Sequence, residues 1–234
     1  MTKLIKEIKK GAIVKHEQKD WVVKNKQNSI LELVNLDGET VLATVEDVNL
    51  SGEFNPHARK TVYDMVKEFH EVFGHKVGDL TPLTLEEVMN RSDYTVEEIV
   101  EAIYVTSKDN TEFKNSLDKF IENVAKAGEK VMKTERPSND LELTVAQGDA
   151  FGDQTYLAVG SLVTLLGDTM TGENLVHHIH NANMTKLFTD ENGKKYVQKD
   201  PVTNKILKSP DFVAPEPELT RMVALGKLSA SLQK

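Results

Sequence analysis

The stretch Glu97-Glu98-Ile99-Val100-Glu101-Ala102-Ile103-Tyr104 decides how this chain is read. Its apolar residues Ile99, Val100, Ile103 and Tyr104 recur at the period of a helix with one packed face. The same period places Glu101 one turn from both Glu97 and Glu98, so three carboxylates point the same way. Like charges at this spacing destabilise a helix slightly, and a cation between them removes the cost. Outward from this stretch the helical period continues. Val62, Met65, Val66, Phe69 and Phe73 precede it, and Phe113, Leu117, Phe120, Ile121, Val124 and Val131 follow Asp109-Asn110, until Pro137-Ser138-Asn139 breaks the pattern. Further helices are predicted over 143–166 and 173–184, with a helical tail over 219–234. The expected fold class is mainly α, an antiparallel helical bundle.

A second acidic pair lies in the least charged part of the chain. Asp149 and Asp153 stand four apart between Leu143-Thr144-Val145-Ala146 and Tyr156-Leu157-Ala158-Val159, with Ala150 and Gly152 beside them. Carboxylates on so apolar a helix are costly to desolvate unless paired or bound to a metal. Two helices packed with these faces opposed would bring four or five oxygen ligands together, the donor set of Mg²⁺ or Mn²⁺.

Before residue 55 the pattern changes to short β-branched runs: Ala12-Ile13-Val14, Trp21-Val22-Val23, residues 30–36 and residues 40–45. Asp37-Gly38 between the last two signals a hairpin with a type I′ turn. Residues 1–55 are therefore expected to form a small SH3-like β-module, joined by a linker over 51–60 to the helices. Such barrels bind RNA, peptides or their own neighbours. A contact role within the molecule or oligomer is the favoured expectation for this one, although lysines crowd its first 30 residues. Between 189 and 217 turn residues dominate, with a hairpin expected between Tyr196-Val197 and Lys205-Ile206-Leu207.

Composition removes other classes. The 234 residues hold no cysteine, which excludes disulfide scaffolds, thiolate zinc sites and cysteine nucleophiles. The formal charge of −8 argues against general nucleic-acid binding outside residues 1–55. No window reaches the roughly 18 consecutive apolar residues of a membrane span, and Met1 to Gly11 lack a signal-peptide core, so the expected location is the cytoplasm. There is no G-x-x-x-x-G-K-[ST] loop and no G-x-S-x-G elbow. His177 and His180 stand three apart, a spacing zinc ligands use, but no H-E-x-x-H accompanies them.

The combination of motifs resembles a known family. E-E-x-x-E on one helix and an acidic pair on a later one are similar to the all-α nucleoside triphosphate pyrophosphohydrolases, the MazG and phosphoribosyl-ATP pyrophosphohydrolase-like superfamily. Asp149-Ala150-Phe151-Gly152-Asp153, Tyr156, Gly160-Ser161 and Asn183-Met184-Thr185-Lys186-Leu187 resemble the D-A-L-x-D…Y…G-[ST]…N-M-x-K-L pattern of its Cof-like branch. Val66-Lys67-Glu68-Phe69-His70, Phe73-Gly74-His75 and Ala214-Pro215-Glu216-Pro217 add to the likeness, which spans about residues 61–218. Within that span, 102–148 is longer than usual and reads in part as an insertion.

The resemblance implies a bundle of the all-α NTP pyrophosphohydrolase type, oligomerisation as a dimer or tetramer, and dependence on Mg²⁺ or Mn²⁺. The implied reaction is hydrolysis of a nucleoside triphosphate or related nucleotide to the monophosphate and pyrophosphate. Phosphoribosyl-ATP hydrolysis, or nucleotide or partner binding without cleavage, are the alternatives. Glu98, Glu101, Asp149 and Asp153 become the expected metal ligands, with Glu97 either completing that set or accepting a proton from the attacking water. Lys186 and Asn183 match the motif and are expected at the substrate. Asn181 can both donate and accept, Tyr156 can stack on a base, and Arg91 lies one to two turns before Glu97, so these three join them.

Overall fold

The computed structural model describes residues 8–50, 60–167, 172–203 and 205–233; the linker expected over 51–60 therefore falls almost wholly outside the described residues. Two compact units emerge. One gathers the described residues up to Val77 together with those from Ala158 onward, and the other is Gly78–Leu157.

The first unit opens with a five-stranded antiparallel sheet of order β4-β3-β2-β1-β5. The strands are β1 (Ile13–His16), β2 (Lys19–Gln27), β3 (Ile30–Val34), β4 (Thr40–Thr44) and β5 (Asn49–Leu50). Alternation puts Val14, Trp21, Val23, Leu31, Leu33 and Ala43 on one face, where they form the main apolar core with Ile8, Val45 and Val48. Both β1–β2 and β2–β3 turn in two residues. Glu17 and Gln18 take positive φ (48° and 64°) in the first turn, and Asn28 (54°) begins the second. The turn expected to be type I′ at Asp37-Gly38 is built differently. Only Gly38 has positive φ (81°), and the Asn35 side chain accepts from the backbone N–H groups of Asp37 and Glu39.

Three helices lie wholly within this unit. Helix α1 (Val62–Phe73) starts at a Thr61/Asp64 capping box, ends at Gly74 in the left-handed region, and buries Met65 and Phe73. It packs on α5 (Gly172–Met184), which in turn contacts α6 (Glu216–Gln233). Helix α6 lies on β2 and buries Met222, Leu225, Gly226 and Ser229. The Ser229 hydroxyl donates to the Gly11 carbonyl, while Arg221 bridges Asp20 and Glu218, and Asp20 also pairs with Lys15 at 2.8 Å. A two-stranded sheet, β6 (Phe188–Thr189) with β7 (Lys195–Tyr196), follows α5. Tyr196 thus pairs with Phe188; the expected partner of the following residues survives as a bridge between Lys199 and Ile206.

In the second unit, α2 (Leu85–Thr106) starts at a Thr84/Glu87 capping box, and α3 (Asn110–Val131) at Asp109, whose carboxylate accepts from Thr111 and Glu112. Tyr104 meets Phe113 edge-on at 5.2 Å across the short joint between them. Helix α4 (Asp140–Leu166) begins here, and the boundary between the units falls within it.

These observations correct the expected fold class. The chain is a mixed α/β protein and not a mainly α bundle: a five-stranded and a two-stranded sheet accompany six helices among the described residues. The reason is where apolar area is buried. Most of the buried hydrophobic side chains belong to the β-sheet and its turns, whereas no residue of α2, α3 or α4 is buried within the chain. Helices that bury nothing against one another are not a bundle in this chain.

Candidate active site

Glu97, Glu98 and Glu101 lie on α2 and are exposed to solvent, as is Arg91 earlier on the same helix. Asp149 and Asp153 lie on α4, also exposed, and Tyr156 one turn on is 80% exposed. The desolvation expected of the two aspartates is absent in a single chain, because the apolar residues around them, such as Val145 and Leu157, are themselves uncovered. All seven side chains belong to the unit Gly78–Leu157.

One polar side chain ties these helices together. Gln147 accepts from the Leu83 N–H at 2.8 Å and donates to the Leu83 carbonyl at 2.9 Å, acting like a strand partner for the residue two places before α2. The Thr144 hydroxyl lies 3.4 Å from the Leu80 carbonyl nearby. The start of α2 is thereby held on α4 two residues from Asp149, while the glutamates ride far along α2. Sequence reading passed over Gln147; its signal was an amide set beside Leu143, Val145 and Ala146.

Whether these residues suit a divalent cation has two sides. Their chemistry does, being carboxylate oxygen throughout. Their placement in one chain does not: among the described residues no three His, Asp or Glu side chains are grouped to hold an ion.

Asn181, Asn183 and Lys186 belong to the other unit, at the end of α5. Asn181 is exposed, with its amide 3.3 Å from His177; Asn183 and Lys186 are half-buried. The turn carrying Lys186 is pinned from one loop, since Ser209 donates to the Thr185 carbonyl at 2.8 Å and the Thr185 hydroxyl accepts from the Val213 N–H at 2.9 Å. Two histidines hold α5 itself. His180 lies 3.1 Å from Glu68 of α1, and His178 lies 3.8 Å from Glu218 of α6. The Lys60 ammonium hydrogen-bonded to Glu68, aided by His180, holds that carboxyl below its ordinary range. Arg221 does the same for Glu218, with smaller help from His178 and Lys15. His177 and His180 therefore face different partners and do not form a zinc pair. Sequence reading did not anticipate Glu68 or Glu218, whose partners lie more than a hundred residues away or on another element.

No protein-family profile matches the sequence. No curated protein matches it either. A solved structure does: the crystal structure of a candidate NTP pyrophosphohydrolase from Exiguobacterium sp. 255-15 is 29% identical, with a TM-score of 0.65. The match covers 73% of this chain and 99% of that one, so almost all of that protein has a counterpart here. Among the described residues, no helix is long and apolar enough to cross a membrane.

Proposed function

We propose that the protein is a nucleotide pyrophosphohydrolase, cleaving a nucleoside triphosphate or related nucleotide to the monophosphate and pyrophosphate with Mg²⁺ or Mn²⁺, and working as a homo-oligomer. The observation that carries this reading is the likeness to the Exiguobacterium protein over nearly its whole length. The exposed carboxylates of α2 and α4 support it, since they are open to a polar substrate.

In this reading Glu98, Glu101, Asp149 and Asp153 hold the cation, which when bound neutralises phosphate oxygens. Glu97 takes the proton of the attacking water or joins that set; a carboxylate serves either role. Asn183 and Lys186 contact the polyphosphate or ribose, and Lys186 is a point charge suited to phosphate. Asn181, Tyr156 and Arg91 are the further substrate contacts, Tyr156 by stacking.

The test is pyrophosphate release from a panel of ribo- and deoxyribonucleoside triphosphates with Mg²⁺ or Mn²⁺. Wild type is expected to release pyrophosphate, and Glu98→Gln and Asp153→Asn to lose about a hundredfold or more of that rate. Orthophosphate as the product, or retained activity in both variants, would refute the assignment.

A further inference from the structure

We propose that Lys208 is a second phosphate-binding lysine, placed beside Lys186 so that the two ammonium groups take the phosphate chain of one substrate. The inference rests on the proposed function for what that substrate is, a nucleotide with linked phosphates, and on separate geometry for the lysine itself.

The first observation is a juxtaposition that chain order hides. Lys186 and Lys208 are 22 residues apart, yet each adjoins one end of the hydrogen bond that the Ser209 hydroxyl donates to the Thr185 carbonyl at 2.8 Å. One chain step is about 3.8 Å between Cα atoms, so both lysines leave the backbone within a step of that bond. The contact is firm. Ser209 is buried, and the Thr185 hydroxyl also accepts from the Val213 N–H at 2.9 Å. On the other side of Lys208, the Leu207 N–H donates to the Gln198 carbonyl at 2.9 Å. The Lys208 backbone is thus fastened immediately before it and immediately after it.

The second is where Lys208 holds its charge. Its ammonium lies over the Phe212 ring, 4.6 Å from the centroid, while the residue as a whole is exposed. A ring face attracts a cation through its quadrupole, but an ammonium has three N–H donors and the face covers one side of it. Donors are left for a ligand, on a side chain already held in place, so less rotamer freedom is lost on binding.

The third is that nearby acids are committed elsewhere. Asp190 accepts from the N–H groups of Asn192 and Lys194, and Asp200 from those of Val202 and Thr203. Both carboxylates serve turns. Among the described residues Lys208 forms no ion pair, with Asp211 or with any other acid. In a chain of net charge −8, residues 185–213 carry six lysines against four acidic residues. A carboxylate ligand is best matched by the planar fork of arginine, whereas lysines serve phosphate as point charges. Two of them side by side suit adjacent phosphates.

The test compares wild type, Lys208→Met and Lys208→Arg by titration calorimetry with inorganic tripolyphosphate, and by KM for the nucleoside triphosphate that wild type cleaves. Lys208→Met is expected to weaken tripolyphosphate binding and to raise KM, each about tenfold, the order of one charge-assisted hydrogen bond. Lys208→Arg keeps the charge and should stay within about threefold of wild type. Unchanged tripolyphosphate affinity in Lys208→Met would overturn the inference, as would wild type that binds no tripolyphosphate. An equal loss in Lys208→Arg would also overturn it, because the charge would then not be what matters. So would a loss for tripolyphosphate with KM unmoved, which would detach Lys208 from the substrate. If wild type cleaves no nucleotide while tripolyphosphate binding still falls in Lys208→Met and returns in Lys208→Arg, the phosphate site stands and the proposed hydrolysis falls instead.

Discussion

Gln147 sets the geometry of the acidic helices with a single amide. Its oxygen and nitrogen satisfy both backbone groups of Leu83, which otherwise face the side of α4 with no partner in the strand or helix ladders. Replacing it by leucine keeps the volume and removes both bonds. The expected loss is about 1–3 kcal/mol, the cost of leaving partly buried backbone groups unpaired. Denaturant unfolding of Gln147→Leu measures it; a loss under half a kcal/mol would mean that water replaces the amide at no cost. Glu97, Glu98 and Glu101 were legible as one face because helical period is local. Gln147 was not, because a glutamine on a helix carries no sign of what lies across from it.

At the scale of elements, the N-terminal sheet and the C-terminal helix are held as one piece. Arg221 joins Asp20 of β2 to Glu218 of α6, and Ser229 reaches back to Gly11. At Gly11, with φ at 84°, a Cβ would also run into the Gln233 side chain. Helix α5 is held from α1 through Glu68 and from α6 through Glu218. Both glutamates have carboxyl pKa values lowered in the folded state, Glu68 chiefly by Lys60 and Glu218 chiefly by Arg221. A lowered carboxyl pKa favours the ionised form on folding, so its stabilisation is complete above the unfolded value, near 4.3, and is lost as pH falls through the folded value. Unfolding free energy should therefore decline as pH falls below about 5. The decline should be shallower in Glu68→Gln and Glu218→Gln, since neither variant has that carboxyl to protonate. Acid titrations of stability that run parallel for all three proteins would remove these pairs from the account. Thr61, Thr84 and Asp109 cap the starts of α1, α2 and α3 with their own side chains, each bond made within one turn of the cap.

For the molecule as a whole, the uneven burial makes a thermodynamic prediction. If the protein works as the proposed homo-oligomer, folding and association are linked, and stability depends on concentration. Each tenfold dilution should lower the apparent unfolding free energy by about 1.4 kcal/mol. Urea midpoints followed by far-ultraviolet circular dichroism over a hundredfold range of protein concentration test this, and a constant midpoint would contradict it. The likeness to the Exiguobacterium protein leaves part of this chain without a counterpart, so the whole molecule is more than that fold alone.

Sequence by itself determined the local things: the existence of six helices, four of the five strands of the first fifty residues, and two sets of carboxylates at helical spacing. All of these depend on residues within a turn or a hairpin of one another. It misjudged the balance of the fold, because periodicity shows which residues want burial and not which find it. Only the tertiary structure decided that the sheet holds the main core and that α6 locks onto β2. It also decided that the approach to α2 is fastened to α4 through Gln147 and Leu83, since a double hydrogen bond across 64 residues is invisible to any local pattern.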